Sequence, residues 1–487
     1  MAGTMLPLAF APFDLFPVAV IVPALLFRSW LRATPLRAFW RGYLFGLGMF
    51  AVGASWIQIS IHQFGLPVLL FSVSVTALFV AIVSLYPALL GFVANRFFKD
   101  SDRLRLLLVF PALWTLTEWL RGWLFSGFPW LNLGYSQINA GLAGLAPVLG
   151  VYGVSWAVAF TAGTLCYLFG ASARTWRPYL LLLITLWVSA SLSGRLSWTR
   201  PVSGPLQIAL VQGNISQPLK WLPSQRVATL ERYLELSRPY LGVDLIVWPE
   251  TAIPAFYFEA KPFLQHLADL ADKFGTEFII GLPYRKRGAA EYFNSVISIG
   301  KQPGIYHKRH LVPFGEYLPL EPVLGPLLTF LRVPLSGFSS GDAVQPALNA
   351  ARHTIGASIC YEGAFGEEVI DALPKAGLLV NVSNDAWFGD SIAPHQHLEM
   401  ARMRALEGGR FLLRATNTGI SAVIDPKGKV IARSPQFEAT ALGAEIRAYG
   451  GTTPYVYMGN MAVIAPLAGA LFWGLNRARG GRSSLRT

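Results

Sequence analysis

Cys360 closes the run TIGASICYE, whose β-branched residues and alternation predict a short strand leading into a turn. An α/β fold presents a nucleophile at such a place. An acyl-transfer set built on a thiol needs two companions, a base for the sulfur and a cation for the oxyanion of the tetrahedral intermediate. Glu250, just past the apolar run 245–248 in DLIVWPE, is the candidate base, because a carboxylate at the mouth of an apolar strand titrates high. Lys308, in YHKRHLVPFGEYLP, is the candidate cation. Each has a plainer reading: a structural buried cysteine, an exposed loop acid, and a solvated or headgroup-facing basic patch with His307, Arg309 and His310. Spacing alone does not bring the three together.

The elements that must position them lie in residues 194–458. Short β-rich runs (LQIALVQGN, VDLIVWPE, EFIIGLP, SVISI, TIGASICYE, GLLVNVSN, ISAVIDPKGKVIA) alternate with helical patterns at 225–237, 261–274 and 396–410. That order predicts one α/β domain, large enough to bury a core without disulfides. No internal repeat or low-complexity segment interrupts it.

The rest of the chain is of another kind. With 53 % hydrophobic and 14 % charged residues among 487, the composition is too apolar for an ordinary soluble protein. Apolar stretches at 16–27 with its flank, 42–59, 67–93, 106–120, 151–169, 179–192 and 461–475 predict seven membrane spans, six of them in residues 1–193 and one in 459–487. The first lies among Pro7, Pro12, Pro17 and Pro23 and lacks the basic start of a signal peptide. Basic clusters sit at alternate junctions: Arg28, Arg32, Arg37 and Arg41; Arg96, Lys99, Arg103 and Arg105; Arg174 and Arg177; Arg477, Arg479, Arg482 and Arg486. Loops 60–66 and 122–150 contain none, apart from Arg121 just before the second. The positive-inside rule then places the clusters in the cytoplasm and the α/β insert outside. The same clustering argues against nucleic acid as the reason for the net charge of +13.

Of the two cysteines, Cys166 lies within an apolar span, so Cys360 is expected to be a lone thiol in an oxidising compartment, where it must be buried or used. Asp390, His395, His397 and Glu399 match no strong zinc spacing, and no Walker-type glycine motif occurs, so neither a metal nor a cofactor is expected. FSGFPWLNLGY, with Trp130 and Tyr135, reads as an outer aromatic segment able to guide acyl chains, or as a generic interfacial belt. Glu118, near the end of a span, is either neutralised by Arg121 or does substrate work. Segment 314–335, with Phe314 and Leu318, is apolar yet rich in proline and glycine, and reads as a lipid-contacting lid.

Glu250 in VWPETAIP, Lys308 in YHKRHLVPFGEYLP and Cys360 in ICYEGAF, in that order, resemble the Glu-Lys-Cys triad of the nitrilase, or carbon-nitrogen hydrolase, superfamily. QGNISQPLKW, NVSNDAWFG, RATNTGISAVIDPKG and FPWLNLGYSQ extend the resemblance over nearly the whole chain to one branch, the bacterial apolipoprotein N-acyltransferases. The resemblance implies a multi-span helical membrane bundle plus a periplasmic α/β nitrilase-like αββα sandwich, in a monomer of the bacterial inner membrane. It implies Cys360 as nucleophile, Glu250 as general base and Lys308 as stabiliser of the tetrahedral intermediates. Glu316 and Glu362 match supporting carboxylates, Trp221 and Tyr361 match residues near the site, and Asn384 and Trp387 fall in a pocket-lining segment. The implied partners are a phospholipid, usually phosphatidylethanolamine, that gives its sn-1 acyl chain, a diacylated apolipoprotein whose amine receives it, and the bilayer. Family members carry a further helix ahead of LAFAPFD, so the first helix here is expected to be shortened or the start assigned late.

Two rival classes remain: a membrane-tethered amidase using the same triad with water as second nucleophile, and a transporter or scaffold with the insert as sensor. Free acid among the products would mark the first, and function surviving Cys360→Ala the second.

Overall fold

The computed structural model describes residues 1–65, 67–98, 101–169, 173–319 and 337–483; most of the expected lid, 320–336, lies outside them. The chain divides into two compact units, one from residues 1–62, 68–196 and 457 onward, the other from residues 63–67 and 197–456.

In the first unit helices form at all seven apolar stretches. Among the described residues, Leu69–Phe97 and Gly141–Leu168 are each long and apolar enough to cross a membrane, at 29 and 28 residues. At 1.5 Å per residue either exceeds a hydrocarbon core of about 30 Å. Pro35–Gly53 and Ile57–Phe64 meet the same test only as a pair bent by 55°, and Val18–Trp30 and Met461–Asn476 are apolar but shorter. Small residues let these helices approach: a Cβ on Gly42 would overlap the Pro87 carbonyl, and one on Gly163 the Leu106 carbonyl. Buried charges do the rest. Glu118 accepts from Trp114 Nε1 and the Leu133 N–H, both at 2.8 Å. Arg121 donates to the Phe128 carbonyl at 3.0 Å, to Asn132 Oδ1 at 2.8 Å and to the Trp130 carbonyl. Between them they pin the FPWLN loop.

The second unit is built on two six-stranded sheets. The strands of these two sheets are β1 Leu206–Gln212, β2 Leu245–Val247, β3 Glu277–Tyr284, β4 Phe293–Ile299, β5 Gly304–His307, β6 Leu348–Ala350, β7 His353–Ile359, β8 Leu378–Ser383, β9 Leu412–Thr416, β10 Ala422–Ile424, β11 Val430–Arg433 and β12 Thr440–Ile446, and Thr199–Pro201 pairs with Tyr449–Gly451 in a separate ribbon. One sheet has the order β12-β1-β2-β3-β4-β5, the other β11-β10-β9-β8-β7-β6. Each centres on a parallel trio, β1-β2-β3 or β7-β8-β9, and continues into antiparallel hairpins.

Period-two alternation explains why both trios read as unbroken apolar runs. Val247, Ile279, Ile359, Val380 and Leu413 point between the sheets into a shared core. Their neighbours point outward: Ile246, Phe278 and Ile280 meet Leu264 and Leu267 of helix Tyr257–Phe274, while Leu379 and Leu412 meet Leu398 and Ala401 of helix Ala393–Gly408. The layers are therefore helix, sheet, sheet, helix. Because Leu413 is wholly buried between the sheets, Leu413→Ala is expected to cost about 2–5 kcal/mol in thermal denaturation of the detergent-solubilised protein. Val344→Ala, at a residue 91 % exposed, is expected to change it by less than about 0.5 kcal/mol.

Candidate active site

Glu250 follows β2, Lys308 immediately follows β5 and Cys360 immediately follows β7, so strand ends of both sheets supply the site. Cys360 has φ +52°, a left-handed conformation that costs a non-glycine residue about 1–3 kcal/mol and here turns the chain sharply out of β7. Thr251, next to Glu250, has φ +47°.

The charged groups are almost dry. Lys308 is 1 % exposed and Glu250 7 %. Lys308 Nζ lies 2.9 and 2.7 Å from the two Glu316 oxygens. Asn294 Nδ2 donates to both carboxylates, at 2.7 Å to Glu250 and 3.1 Å to Glu316, and the Asn294 carbonyl accepts the Lys308 N–H at 2.8 Å. The second Glu316 oxygen accepts the Val312 N–H at 2.8 Å.

Burial pushes the Glu250 carboxyl up, with Lys308 pulling it back. Burial opposes the charge of Lys308, yet Glu316 and Glu250 outweigh it and hold the ammonium protonated. Burial, then the Glu250 charge, pushes the Cys360 thiol up to about 12, while Lys308 acts in the opposite sense. All three groups thus sense one another.

Glu362 ties the turn carrying Cys360 to the segment carrying Lys308. One of its oxygens accepts the Ile359 N–H at 2.7 Å, and the other accepts the Arg309 N–H at 2.7 Å, the His310 N–H at 3.2 Å and the Tyr306 hydroxyl at 3.0 Å. The residues flanking Lys308 and the turn carrying Cys360 share one carboxylate.

A second buried set supports the cysteine from beneath. His397 Nε2 lies 3.2 Å from the Cys360 carbonyl, Arg414 Nη2 lies 3.0 Å from His397 Nδ1, and the same Nη2 lies 2.9 Å from Asp385. His397 Nδ1 also lies 3.1 Å from Asp385 Oδ1, so the ring nitrogen stands between the carboxylate and the guanidinium. Burial and Arg414 hold His397 below its usual range, and Asp385 is held low by Arg414 and His397 against its burial.

Other expected residues divide. Trp221 is half exposed beside buried Lys220. The Tyr361 ring meets Phe365 edge-on at 5.0 Å and His310 at 5.4 Å. Phe314 is exposed with φ +62°, and Leu318 is half-buried. Trp387 keeps 37 % exposure with its ring 4.5 Å from Phe64. Asn384 is not an open pocket wall: it is buried, donates to Gln217 at 2.7 Å and accepts from Asn417 at 3.1 Å. Trp130 and Tyr135 are each 1 % exposed, Trp130 stacked on Phe128 at 5.3 Å, so packing inside the helical unit replaces the expected outer acyl guide. Sequence reasoning missed Asn294, Lys220 and the His397–Arg414–Asp385 set, whose partners lie far off in the chain. Among the described residues no group of three or more His, Cys, Asp or Glu side chains is placed to hold a metal ion.

His397 gives a signed pH dependence. Its folded pKa lies below the unfolded one, so below about pH 6.5 the unfolded chain binds a proton that the folded chain refuses. Its contribution to stability therefore falls as pH drops through about 6.5, by at most about 1.4 kcal/mol per pH unit. Subtracting the profile of His397→Gln from that of the wild type, by thermal denaturation between about pH 7 and 5, should isolate that slope.

Comparison with known proteins identifies the family. The family model for Carbon-nitrogen hydrolase matches residues 207–455, and that for the Apolipoprotein N-acyltransferase N-terminal domain matches residues 2–164. The apolipoprotein N-acyltransferase of Methylococcus capsulatus (strain Bath) is 47 % identical over 468 residues, 96 % of this chain and 93 % of the relative. Those of Nitrosomonas europaea and Vibrio cholerae are 44 % and 42 % identical, covering 97 % and 98 % of this chain and 95 % and 96 % of theirs. With the hydrolase sandwich and the N-terminal helical domain both matched, and relatives aligned nearly end to end, the chain belongs to the apolipoprotein N-acyltransferase family.

Proposed function

We propose that this protein moves the sn-1 acyl chain of a phospholipid, through a thioester on Cys360, to the N-terminal amine of a diacylated apolipoprotein. The observation that carries the reading is the Cys360 thiol on its left-handed turn, under the combined fields of Glu250 and Lys308. The names of the relatives favour an amine over water as the second nucleophile.

A thiol pushed up to about 12 is protonated at neutral pH, so its proton must leave as the sulfur attacks. Glu250 takes that proton while sulfur bonds to the ester carbonyl carbon, and the oxyanion forms against the Lys308 ammonium. Collapse breaks the carbon–oxygen bond, and Glu250 returns the proton to the departing lyso-phospholipid. In the second half Glu250 deprotonates the lipoprotein amine as it attacks the thioester, and the sulfur leaves with that proton. The apolar helices of the first unit are consistent with a membrane protein. In this reading they form a multi-pass bundle in the bacterial inner membrane, with residues 194–458 in the periplasm, phosphatidylethanolamine as donor, and the monomer as the working form.

Intact-mass analysis tests the first half-reaction. Wild type mixed with phosphatidylethanolamine and no acceptor should gain one acyl mass, and Cys360→Ala should gain none. Glu250→Gln and Lys308→Met should acylate about 10²-fold slower or worse while keeping their thermal transition. An unchanged rate in either variant removes that residue from the mechanism. Adding a diacylated lipopeptide should discharge the adduct to N-acylated product, and release of free fatty acid instead would establish the amidase alternative.

A further inference from the structure

The motif QPLKW drew notice for its tryptophan, but the structure buries its lysine. Lys220 ends the single-turn helix Gln217–Lys220 with 1 % exposure. Its ammonium donates to the Glu250 carbonyl at 3.1 Å and to Thr251 Oγ1 at 2.5 Å. A neutral donor would satisfy a carbonyl and a hydroxyl at far lower desolvation cost, so the charge itself calls for an explanation.

That charge has an evident recipient. The groups facing Glu250 are Lys308 and Glu316 from the segment after β5, Asn294 from β4, Cys360 from the turn after β7, and Lys220. Lys308 is already engaged by both oxygens of Glu316, and Glu316 opposes ionisation of Glu250. Lys220 supplies the second positive charge favouring the Glu250 carboxylate.

We propose that Lys220 is a positioning residue for acylation: it pins the Glu250–Thr251 turn and, through its charge, sets the pH at which Glu250 becomes a competent base. The proposal rests on Glu250 being that base. Burial lowers Lys220 to about 8, so it is charged at neutral pH and loses the charge above that value.

The test is the rate of thioester formation by the full-length protein with phosphatidylethanolamine in mixed micelles, without acceptor, followed by intact mass from about pH 5 to 9. Removing an opposite charge beside a carboxyl raises its pKa, and a shift of about 1 pH unit is the size the experiment should read. In Lys220→Met the acid limb of the profile should shift to higher pH by that amount, making the reaction about tenfold slower or worse on that limb. Lys220→Gln, which keeps a donor without charge, should show the same shift, and Lys220→Arg, which keeps the charge, should return the limb toward its wild-type position. A uniform loss of rate with an unmoved limb in both neutral variants, or in Lys220→Gln alone where Lys220→Met fails to fold, overturns the proposal and leaves Lys220 a packing residue. Glu250→Gln run alongside separates the two layers: an unchanged rate there refutes Glu250 as base, whereas loss of rate there with an unmoved limb in the Lys220 variants refutes only the present proposal.

Discussion

Two carboxylates and two ammonium groups, Glu250, Glu316, Lys308 and Lys220, are held together at the strand ends of the sandwich, largely out of water. Removing an ion from water costs several kcal/mol after relaxation, and only its neighbours offset that cost. Each charge is therefore a condition for the others. Burial and the Glu250 charge push the Cys360 thiol up, so the site favours the protonated sulfur. A site of this kind trades a ready thiolate for a sulfur that is poorly nucleophilic until substrate is in place.

Such a cluster requires a stiff surround, and the sandwich provides one. The core between the sheets fixes the ends of β2 and β7, and β5 is held by its hairpin to β4, from which Asn294 reaches both carboxylates. Behind the Cys360 turn, the buried Arg414 is tolerable in the middle of a sheet because Asp385 neutralises it. The helical unit uses the same device on a smaller scale, with Glu118 and Arg121 both hydrogen-bonded to the FPWLN loop.

Glu250 and Cys360 were legible because each stands at the end of an apolar strand-like run, and Lys308 because it lies within a string of recognisable family character. The α/β layering was legible for the same reason, and the helices at 226–237, 257–274 and 393–408 follow the patterns that announced them. What was hidden was hidden by partnership. Asn294 is one polar residue inside a strand, Lys220 is overshadowed by Trp221, and His397 lies on a helix buried nearly all round, where amphipathic contrast vanishes. β9 was missed because Arg414 breaks its apolar run, and its neutralising Asp385 stands in a different element. Trp130 and Tyr135 misled in the opposite direction. Aromatic and glycine-rich strings look interfacial, and nothing local reveals that Arg121 and Glu118 fold that loop inward.

Glu362 gives the site a fixed ruler. With one oxygen on the Ile359 N–H and the other on the Tyr306 hydroxyl and the Arg309 and His310 N–H groups, it ties the turn carrying Cys360 and the segment carrying Lys308 into one frame. The two segments therefore cannot shift independently, because displacing either breaks a hydrogen bond to the carboxylate they share.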